Sequence, residues 1–570
     1  MKRNQGGLRL LAPAGGPRPG VSCAVRPKAG RAGVRTDVTR EALAELRSNV
    51  MARRIQESAE WLNQNDALVR QLDPEHACSA PLIAWVAQCL EGSSREAATI
   101  RELLGRVPRS MRGRLTLQAY VHLRLAEGIL ALAERRADEA AAHFDFVITA
   151  DPELAGPEFV ALAHYWKALS ERELGRDEAA MTHATQAHAM AQDLGSEAAA
   201  AMMLALEGCI LAGKGKLARA LDLLREAEAA LEGTSDFTWL GNIQFAYGHI
   251  ALEEGRCESA MEHLLEAAGN YRRCDPVHRS LGETLIHLAR SRRFIASRAA
   301  QVIDGHAARR RRLGQVDGGG CAEVSARREV DELRGQAEAN LIEAMEVCAV
   351  IGDVRVSAFA QVERGILLAD CGQFDCAWMD AEQAFDAGWR AKDYAVLGSA
   401  RLLQSRIALT QYEEGIGNAP LAQAQRSSDY AKEAVNYARQ SVDRRLLASA
   451  LTWQGLVHCS EVCSDAEAAE TCCREAGELL APGNRSRIWE EHRALVRKIA
   501  RGGKIDARLR EWSQGFAGGK TFQQMSEEFA DLVIPSVWEK EGRNVSRVVA
   551  KLSISPKKVR RILSRAGLKA

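Results

Sequence analysis

The chain has 570 residues, of which 76 are Lys or Arg and 75 are Asp or Glu. It is longer than the size at which a single hydrophobic core stops growing, so we expect more than one cooperative unit. Alanine and leucine predominate and aromatic residues make up only 5%, which favours an all-α fold over a β-sheet protein. The net charge of +1 excludes a uniformly basic or acidic protein, so any electrostatic function must be local.

Several classes of site and location are not indicated by the sequence. No apolar run approaches the eighteen residues of a transmembrane helix, so we expect no membrane association. The 14 cysteines have neither CxxC spacing nor a matching histidine pair, which favours reduced thiols in a cytoplasmic protein without a metal or cofactor. No catalytic constellation of serine, cysteine, histidine or carboxylate residues can be assembled from spacing, so we expect no enzyme activity.

Residues 1–36 differ in composition from the rest of the chain. They contain eight Lys or Arg residues and no Asp or Glu, with many glycines and prolines. Such a segment cannot bury enough apolar surface to fold by itself. The sequence therefore predicts a disordered basic arm. A transit peptide is the less favoured interpretation because the arm contains only one serine, Ser22.

Small residues recur at intervals of 40 from about residue 120. Small residues in one helix let a second helix approach closely, and a glycine between the two ends the first helix. The pattern predicts helix hairpins, and it returns weakly twice further along the chain. Its positions are Gly128, Ala168, Gly208 and Gly248; Gly175, Gly215 and Gly255; Ala140, Ala180, Ala220 and Ala260; then Gly365, Gly372, Ala377 and Ala384; and finally Gly455, Ala469 and Ala476.

With Phe144 and Pro152 in the first unit, this pattern resembles tetratricopeptide (TPR) repeats lengthened from 34 to about 40 residues. The resemblance implies a TPR-like right-handed helical solenoid over residues 39–303 and 336–501. The concave face of such an array usually binds a protein or peptide partner. Candidate contacts are the aromatic residues Tyr165, Trp166, Trp239, Phe245 and Tyr247, although core packing is the commoner role for such residues.

Two segments interrupt or follow the repeats. Residues 304–335 contain Arg309–Arg312 and Gly318–Gly320, which predicts a flexible loop. The run from Gly515 to Thr521 looks like a phosphate-binding loop, but only three residues separate its first glycine from the Gly-Lys pair, where four are needed. We therefore interpret its glycines as a hinge, and Thr521 with Gln524 as a capping box that begins a helix.

The C-terminal segment concentrates positive charge. Nine Lys or Arg residues and no Asp or Glu lie between Gly542 and Ala570. Apolar residues fall on one helical face at Val548, Val549 and Leu552 and on another at Val559, Ile562 and Leu563. Ser555 is placed to cap the second helix, and Pro556 suits its first position. Two short helices, a turn and a basic outer face predict a helix-turn-helix over residues 516–570 that binds duplex DNA.

This segment resembles the DNA-binding domain of the Fis (factor for inversion stimulation) family in Asn544–Arg547, Leu552–Ser555, Val559, Leu563 and Gly567-Leu568; LuxR-type domains are the second choice. The resemblance implies a homodimer through the preceding helix. Pro535 is expected to interrupt that helix, which leaves the dimer geometry open. Ser553 stands where the family has a turn glycine, and Pro556 where it often has a base-reading arginine. The residues assigned to DNA are Asn544, Ser546, Arg547, Ser555, Lys557, Lys558, Arg560, Arg561 and Arg565.

The sequence therefore predicts a transcriptional regulator with two parts. A TPR-like array binds a protein or peptide, and the helix-turn-helix binds DNA. Fis-type domains also occur at the ends of sigma-54-dependent activators, but the ATPase engine of those proteins has no counterpart in this sequence. The alternative is a TPR-type scaffold for protein–protein interaction whose terminal domain is degenerate and does not bind DNA.

Overall fold

A computed structural model describes residues 29–75, 79–91, 97–312, 321–416, 420–441, 443–460, 463, 465–480, 486–502, 521–565 and 568. Every regular element in these ranges is a helix, which confirms the all-α class. None of the described helices combines the length and apolarity needed to cross a bilayer.

The N-terminal helices are α1 (Ala29–Met51), α2 (Ile55–Gln64), α3 (Asp66–Val69), α4 (Ser79–Gln88) and α5 (Ala97–Gly105), followed by a 3-10 helix (Arg109–Arg114). The repeats comprise α6 (Leu117–Ala133), α7 (Ala137–Thr149), α8 (Pro152–Ala155), α9 (Pro157–Glu173), α10 (Asp177–Asp193), α11 (Glu197–Gly213), α12 (Leu217–Leu231), α13 (Phe237–Glu253), α14 (Cys257–Cys274), α15 (Leu281–Arg312), α16 (Cys321–Ile351), α17 (Val354–Asp370), α18 (Phe374–Ala391), α19 (Tyr394–Glu413), α20 (Pro420–Ser441), α21 (Arg444–His458), α22 (Ala466–Leu479) and α23 (Arg487–Gly502). The last three are α24 (Phe522–Lys540), α25 (Val545–Leu552) and α26 (Pro556–Arg565).

The predicted 40-residue register is confirmed by the helix boundaries. The first helices of four consecutive hairpins begin at Leu117, Pro157, Glu197 and Phe237, and the second helices at Ala137, Asp177, Leu217 and Cys257. Gly175, Gly215 and Gly255 follow three of the first helices with φ of 72°, 72° and 73°. Glycine adopts this left-handed conformation without the steric cost that a side chain adds. The chain is therefore a TPR-like array of helix hairpins.

Close helix approach explains the small residues. A Cβ atom built on Gly128 would lie 2.5 Å from the ring of Phe144 in the partner helix, and one on Gly248 would lie 2.7 Å from Leu264. Ala140, Ala180, Ala220 and Ala260 are fully buried. A larger residue at these positions has no space without moving a helix, which is why the spacing alone located the hairpins.

Replacing Ala260 by leucine is expected to lower the free energy of unfolding by about 1–3 kcal/mol, because the added atoms overpack the contact between two helices. Urea denaturation followed by circular dichroism measures the change. The matched control is Glu262→Leu on the same helix, where the side chain is exposed. Equal stability of the Ala260 variant and the parent protein would show that the assigned register is wrong.

The described residues divide into two compact units. The first comprises residues up to Ile210 together with Leu223–Asp236, and the second comprises Leu211–Asp222 and the residues from Phe237 onward. Within the first unit, Tyr165 and Trp166 are buried, and Trp166 donates a hydrogen bond to Gln88 at 2.7 Å. In the second unit, Trp239 and Tyr247 are also buried. These aromatic residues belong to the core, so they are not the partner contacts considered from the sequence.

The predicted loop over residues 304–335 is wrong where the structure describes it. Residues 304–312 end α15, and residues 321–335 begin α16. The two long helices pack against each other, with Ala296 and Val330 buried and Arg327 paired with Asp304 at 3.3 Å. This tertiary packing stabilises helical turns over residues 304–312 and 321–335 that the local sequence pattern did not indicate. Residues 313–320 lie outside the described residues.

The boundary of the predicted N-terminal arm also changes. The helix α1 begins at Ala29, so residues 29–36 are helical instead of part of a disordered arm. Alanine and arginine are good helix formers, and they outweigh the two glycines of this stretch. Residues 1–28 and the hinge at 515–519 lie outside the described residues.

A buried histidine makes the stability of the second unit depend on pH. His278 is fully buried and stacks on Tyr271 with 4.5 Å between ring centroids. Its Nδ1 accepts a hydrogen bond from the backbone N–H of Ser280 at 3.1 Å, so the imidazole is held neutral. Burial, with a smaller contribution from Arg279, lowers the pKa of His278 to about 3.

Acid is therefore expected to destabilise the protein through His278. An unfolded histidine has a pKa near 6.5 and binds the proton more readily, so stability present at neutral pH is lost progressively as the pH falls below 6.5. At pH 5 the loss from this residue is about 2 kcal/mol. Urea denaturation at pH 7 and pH 5 should show a smaller loss for His278→Gln than for the parent. The same loss in both proteins would contradict this assignment.

Candidate functional site

A cavity of about 340 Å³ lies among the first helices of the hairpins in the second unit. Among the described residues, the lining comes from alternate helices of the second unit, namely α13, α15, α17, α19, α21 and α23. Its apolar lining residues are Leu252, Phe294, Phe359, Val362, Ile366, Leu402, Leu403, Leu446 and Ile488. Its charged ones are Glu253, Arg290, Arg293, Glu363, Arg406, Asp443, Arg445, Arg487 and Glu491. A partly open cavity of this mixed character suits an amphipathic ligand.

Glu363 on α17 holds two arginines from α15. Its carboxylate accepts a hydrogen bond from Arg290 at 2.6 Å and lies 3.7 Å from Arg293, which also pairs with Asp370 at 3.0 Å. Burial alone would raise the pKa of Glu363, but Arg290 and Arg293 hold it below its usual value. The glutamate is therefore ionised and fixes one wall of the cavity.

Glu491 on α23 is the centre of a second cluster. One carboxylate oxygen accepts from Arg406 of α19 at 3.0 Å, and the other from Arg487 at 3.2 Å. The Arg487 guanidinium lies 4.9 Å from the Phe294 ring centroid, and that of Arg406 lies 5.1 Å from the centroid of Trp453. Both arginines are therefore positioned by a carboxylate and by an aromatic face.

A third ion pair joins helices that are far apart in sequence. Arg445 at the start of α21 pairs with Glu253 and contacts Nε2 of His249 at 3.1 Å, both on α13. His287 also lines the cavity, and burial with nearby Arg290 lowers its pKa well below the usual value, so its ring is neutral. Sequence reasoning missed the cavity because most of its ion pairs join helices that are far apart in the chain, as the pair of Arg445 with Glu253 shows.

The C-terminal module consists of α24, α25 and α26 around a small core. Val548, Val559, Ile562 and Leu563 are buried as predicted, with Val549 and Leu552 packed against them. The helix α24 adds Ala530, Ile534 and Trp538 to this core. It continues through Pro535, so the interruption expected there is wrong. The turn between α25 and α26 places Ser553 at φ 49°, a conformation that glycine adopts without strain.

Side chains cap all three helices. Thr521 and Gln524 exchange hydrogen bonds as a capping box, with Thr521 N–H donating at 2.9 Å and Gln524 N–H donating at 3.3 Å. Asn544 Oδ1 accepts from the N–H of Arg547 at 3.2 Å, and Ser555 Oγ accepts from that of Lys558 at 3.3 Å. Asn544 and Ser555 therefore have a structural role whether or not they also contact a ligand.

The basic residues assigned to DNA fall into two groups. Arg561 pairs with Glu527 at 3.4 Å and Arg565 pairs with Asp531 at 3.0 Å, both acids being on α24. By contrast, no described carboxylate lies within 4.0 Å of Arg547, Lys557, Lys558 or Arg560. Ser546 is exposed at the start of α25. The structure thus places the predicted residues in one small module. Arg561 and Arg565 have carboxylate partners on α24, whereas the other four basic residues have no described carboxylate partner.

The comparisons with known proteins gave similar solved structures only. No protein-family model and no curated protein matches the sequence. The apo form of the quorum sensor NprR from B. thuringiensis is 12% identical, with a TM-score of 0.46 over 71% of this chain and 98% of that chain. The apo form of RapI is 10% identical, with a TM-score of 0.40 over 71% and 98%. The human IFIT1 dimer with PPP-AAAA is 13% identical, with a TM-score of 0.39 over 78% and 94%. Likenesses this distant carry no argument about function.

Proposed function

We propose that the protein is a DNA-binding transcriptional regulator. The cavity among the first helices binds a protein or peptide segment, and the C-terminal module binds duplex DNA as a Fis-type helix-turn-helix. The observation that carries this proposal is the group of exposed or half-exposed basic residues on α25 and α26, namely Arg547, Lys557, Lys558 and Arg560, which have no internal ion pair among the described side chains.

The distribution of charge in the module supports DNA binding. All five acidic residues of the segment 521–570 precede Gly542, and ten Lys or Arg residues lie in the same segment. Glu527 and Asp531 of α24 pair with α26 from one side, and Glu541 pairs with Lys551 of α25, so the remaining positive charge is concentrated on the rest of the helix pair. Phosphate groups are the natural partner of such a surface.

The cavity supports partner binding. It combines an apolar wall with fixed guanidinium and carboxylate groups, which suits a short peptide segment better than a purely apolar ligand. Dimerisation through α24, by resemblance to the Fis family, stays a prediction. The large exposed fraction of Phe522, 83%, leaves apolar surface on that helix for such a contact.

A salt titration of the full-length protein with duplex DNA tests the proposal. A labelled mixed-sequence duplex should bind, and the logarithm of the association constant should fall linearly with the logarithm of salt concentration, with a slope of about −0.9 for each phosphate contacted. Absence of binding at low salt, with circular dichroism showing intact helices, would overturn the DNA-binding function.

The second candidate is a protein–protein interaction scaffold with a non-binding terminal module. The pairs that Arg561 and Arg565 form with α24 favour it, because they neutralise two of the residues that the Fis resemblance assigns to DNA. The same titration separates the two functions, since a scaffold shows no salt-dependent duplex binding.

A further inference from the structure

The cluster around Glu491 carries more positive than negative charge. Two guanidinium groups, those of Arg406 and Arg487, share the single carboxylate. The cluster around Glu363 differs, because Asp370 supplies a second carboxylate there. Each oxygen of Glu491 binds one arginine. Five arginines and four carboxylates line the cavity, so the lining as a whole carries a net charge of +1. The Arg406 side chain is 22% exposed and that of Arg487 is 36% exposed, so an opposite charge in the cavity meets both in partly desolvated surroundings.

The arginines of this cluster also retain unused donors. The Nε of Arg406 is buried and makes no hydrogen bond. A guanidinium group offers five N–H donors in a planar fork that matches the two oxygens of a carboxylate or phosphate. Arg406 and Arg487 each use one N–H donor on Glu491, so the other donors of each fork are available among the described residues to an anion in the cavity. The apolar ring of Phe294 and the side chain of Ile488 line the same cavity.

We propose that the cavity binds an anionic group of its ligand, a carboxylate or a phosphate, at Arg406 and Arg487, with an apolar group of the ligand against Phe294 and Ile488. The proposal rests on the assignment of the cavity as the partner site. Glu491 holds both arginines in position and competes with the ligand's anionic group for their N–H donors. When the ligand binds, Glu491 loses part of its hydrogen bonding to the arginines. The ligand class is therefore an amphipathic anion.

Isothermal titration calorimetry on the full-length protein tests this with three probes. They are acetyl-Leu-Phe with a free carboxylate, its C-terminal amide, and acetyl-Leu-phosphoserine-Phe amide. We expect the carboxylate probe, the phosphate probe or both to bind at least about tenfold more tightly than the amide, the range for hydrogen bonds to a charged group. Which of the two anionic probes binds more tightly identifies the source of the anion.

Substitutions at Arg487 and Glu491 test whether the anionic probes bind at this cluster. Arg487→Gln should remove the preference for the anionic probes over the amide. Glu491→Gln should act in the opposite direction and raise their affinity, since it removes the competing carboxylate; a purely structural role for Glu491 predicts a loss instead. The matched control is Arg439→Gln, which breaks an exposed pair with Glu475 at 2.8 Å outside the cavity and should change nothing.

Equal affinity for the acid and amide probes, absence of binding by any probe, or lower affinity of the anionic probes for Glu491→Gln would each overturn the proposal. Circular dichroism melting of every variant shows that the fold is retained. These outcomes are independent of the duplex titration, so a failure of the anion site leaves the DNA-binding function to be decided by that separate measurement.

Discussion

Replacing Arg53 by methionine is expected to lower the free energy of unfolding by about 3–5 kcal/mol, the cost of breaking a buried ion pair from one side. Arg53 is 3% exposed and Asp236 is completely buried. The arginine Nε donates to Asp236 at 2.7 Å, and a terminal nitrogen donates to Glu91 at 2.9 Å. Without the guanidinium, the first unit contains two carboxylates that have lost their main counterion.

The backbone shows the same constraint on Arg53. Its φ of 53° is uncommon for a residue with a side chain, so the network holds it in a conformation with a steric cost. Urea denaturation measures the effect, with Arg70→Met as the control. Arg70 forms an exposed pair with Asp66 at 2.8 Å, and its loss should leave the stability almost unchanged. Similar losses for both variants would show that the buried network contributes no more than a surface ion pair.

Replacing Arg560 by alanine is expected to weaken duplex binding by about 1–3 kcal/mol and to relax the preference at one base pair. By resemblance to the Fis pattern, Arg560 approaches the bases, where its fork matches O6 and N7 of a guanine. Lys558→Ala should instead weaken binding to all sequences alike and reduce the salt slope by about one phosphate contact. Pro556 replaces a base-reading arginine of the family, so overall sequence specificity should be low.

The two arginines that pair with α24 provide a matched comparison with Lys558, which has no such pair among the described residues. Arg561 and Arg565 must leave Glu527 and Asp531 before they reach a phosphate, so alanine at either position should cost less than alanine at Lys558. Fluorescence anisotropy with specific and mixed-sequence duplexes over a salt series provides all these values. If Arg560→Ala and Lys558→Ala both bind as tightly as the parent at physiological salt, the scaffold function replaces the regulator.

The sequence alone determined the features that depend on neighbours along the chain. The 40-residue spacing located the hairpins because a small residue is required wherever two consecutive helices touch, as Gly128 and Phe144 show. The apolar faces of α25 and α26 were predicted because 3.6-residue periodicity places Val559, Ile562 and Leu563 on one side of a helix. The capping box at Thr521 was also predicted, because it depends only on the local spacing of Thr521 and Gln524.

The tertiary structure decided which charges meet. Arg290 and Glu363 are 73 residues apart and Arg445 and Glu253 are 192 apart, so no local spacing indicates either pair. The helical continuation of α15 and α16 depends on each packing against the other, which composition does not reveal. Likewise, acids on α24 neutralise Arg561 and Arg565 only because the three helices fold together. The distance between two charged side chains on different helices depends on how those helices pack, and this packing is not determined by the residues near either charge in the sequence.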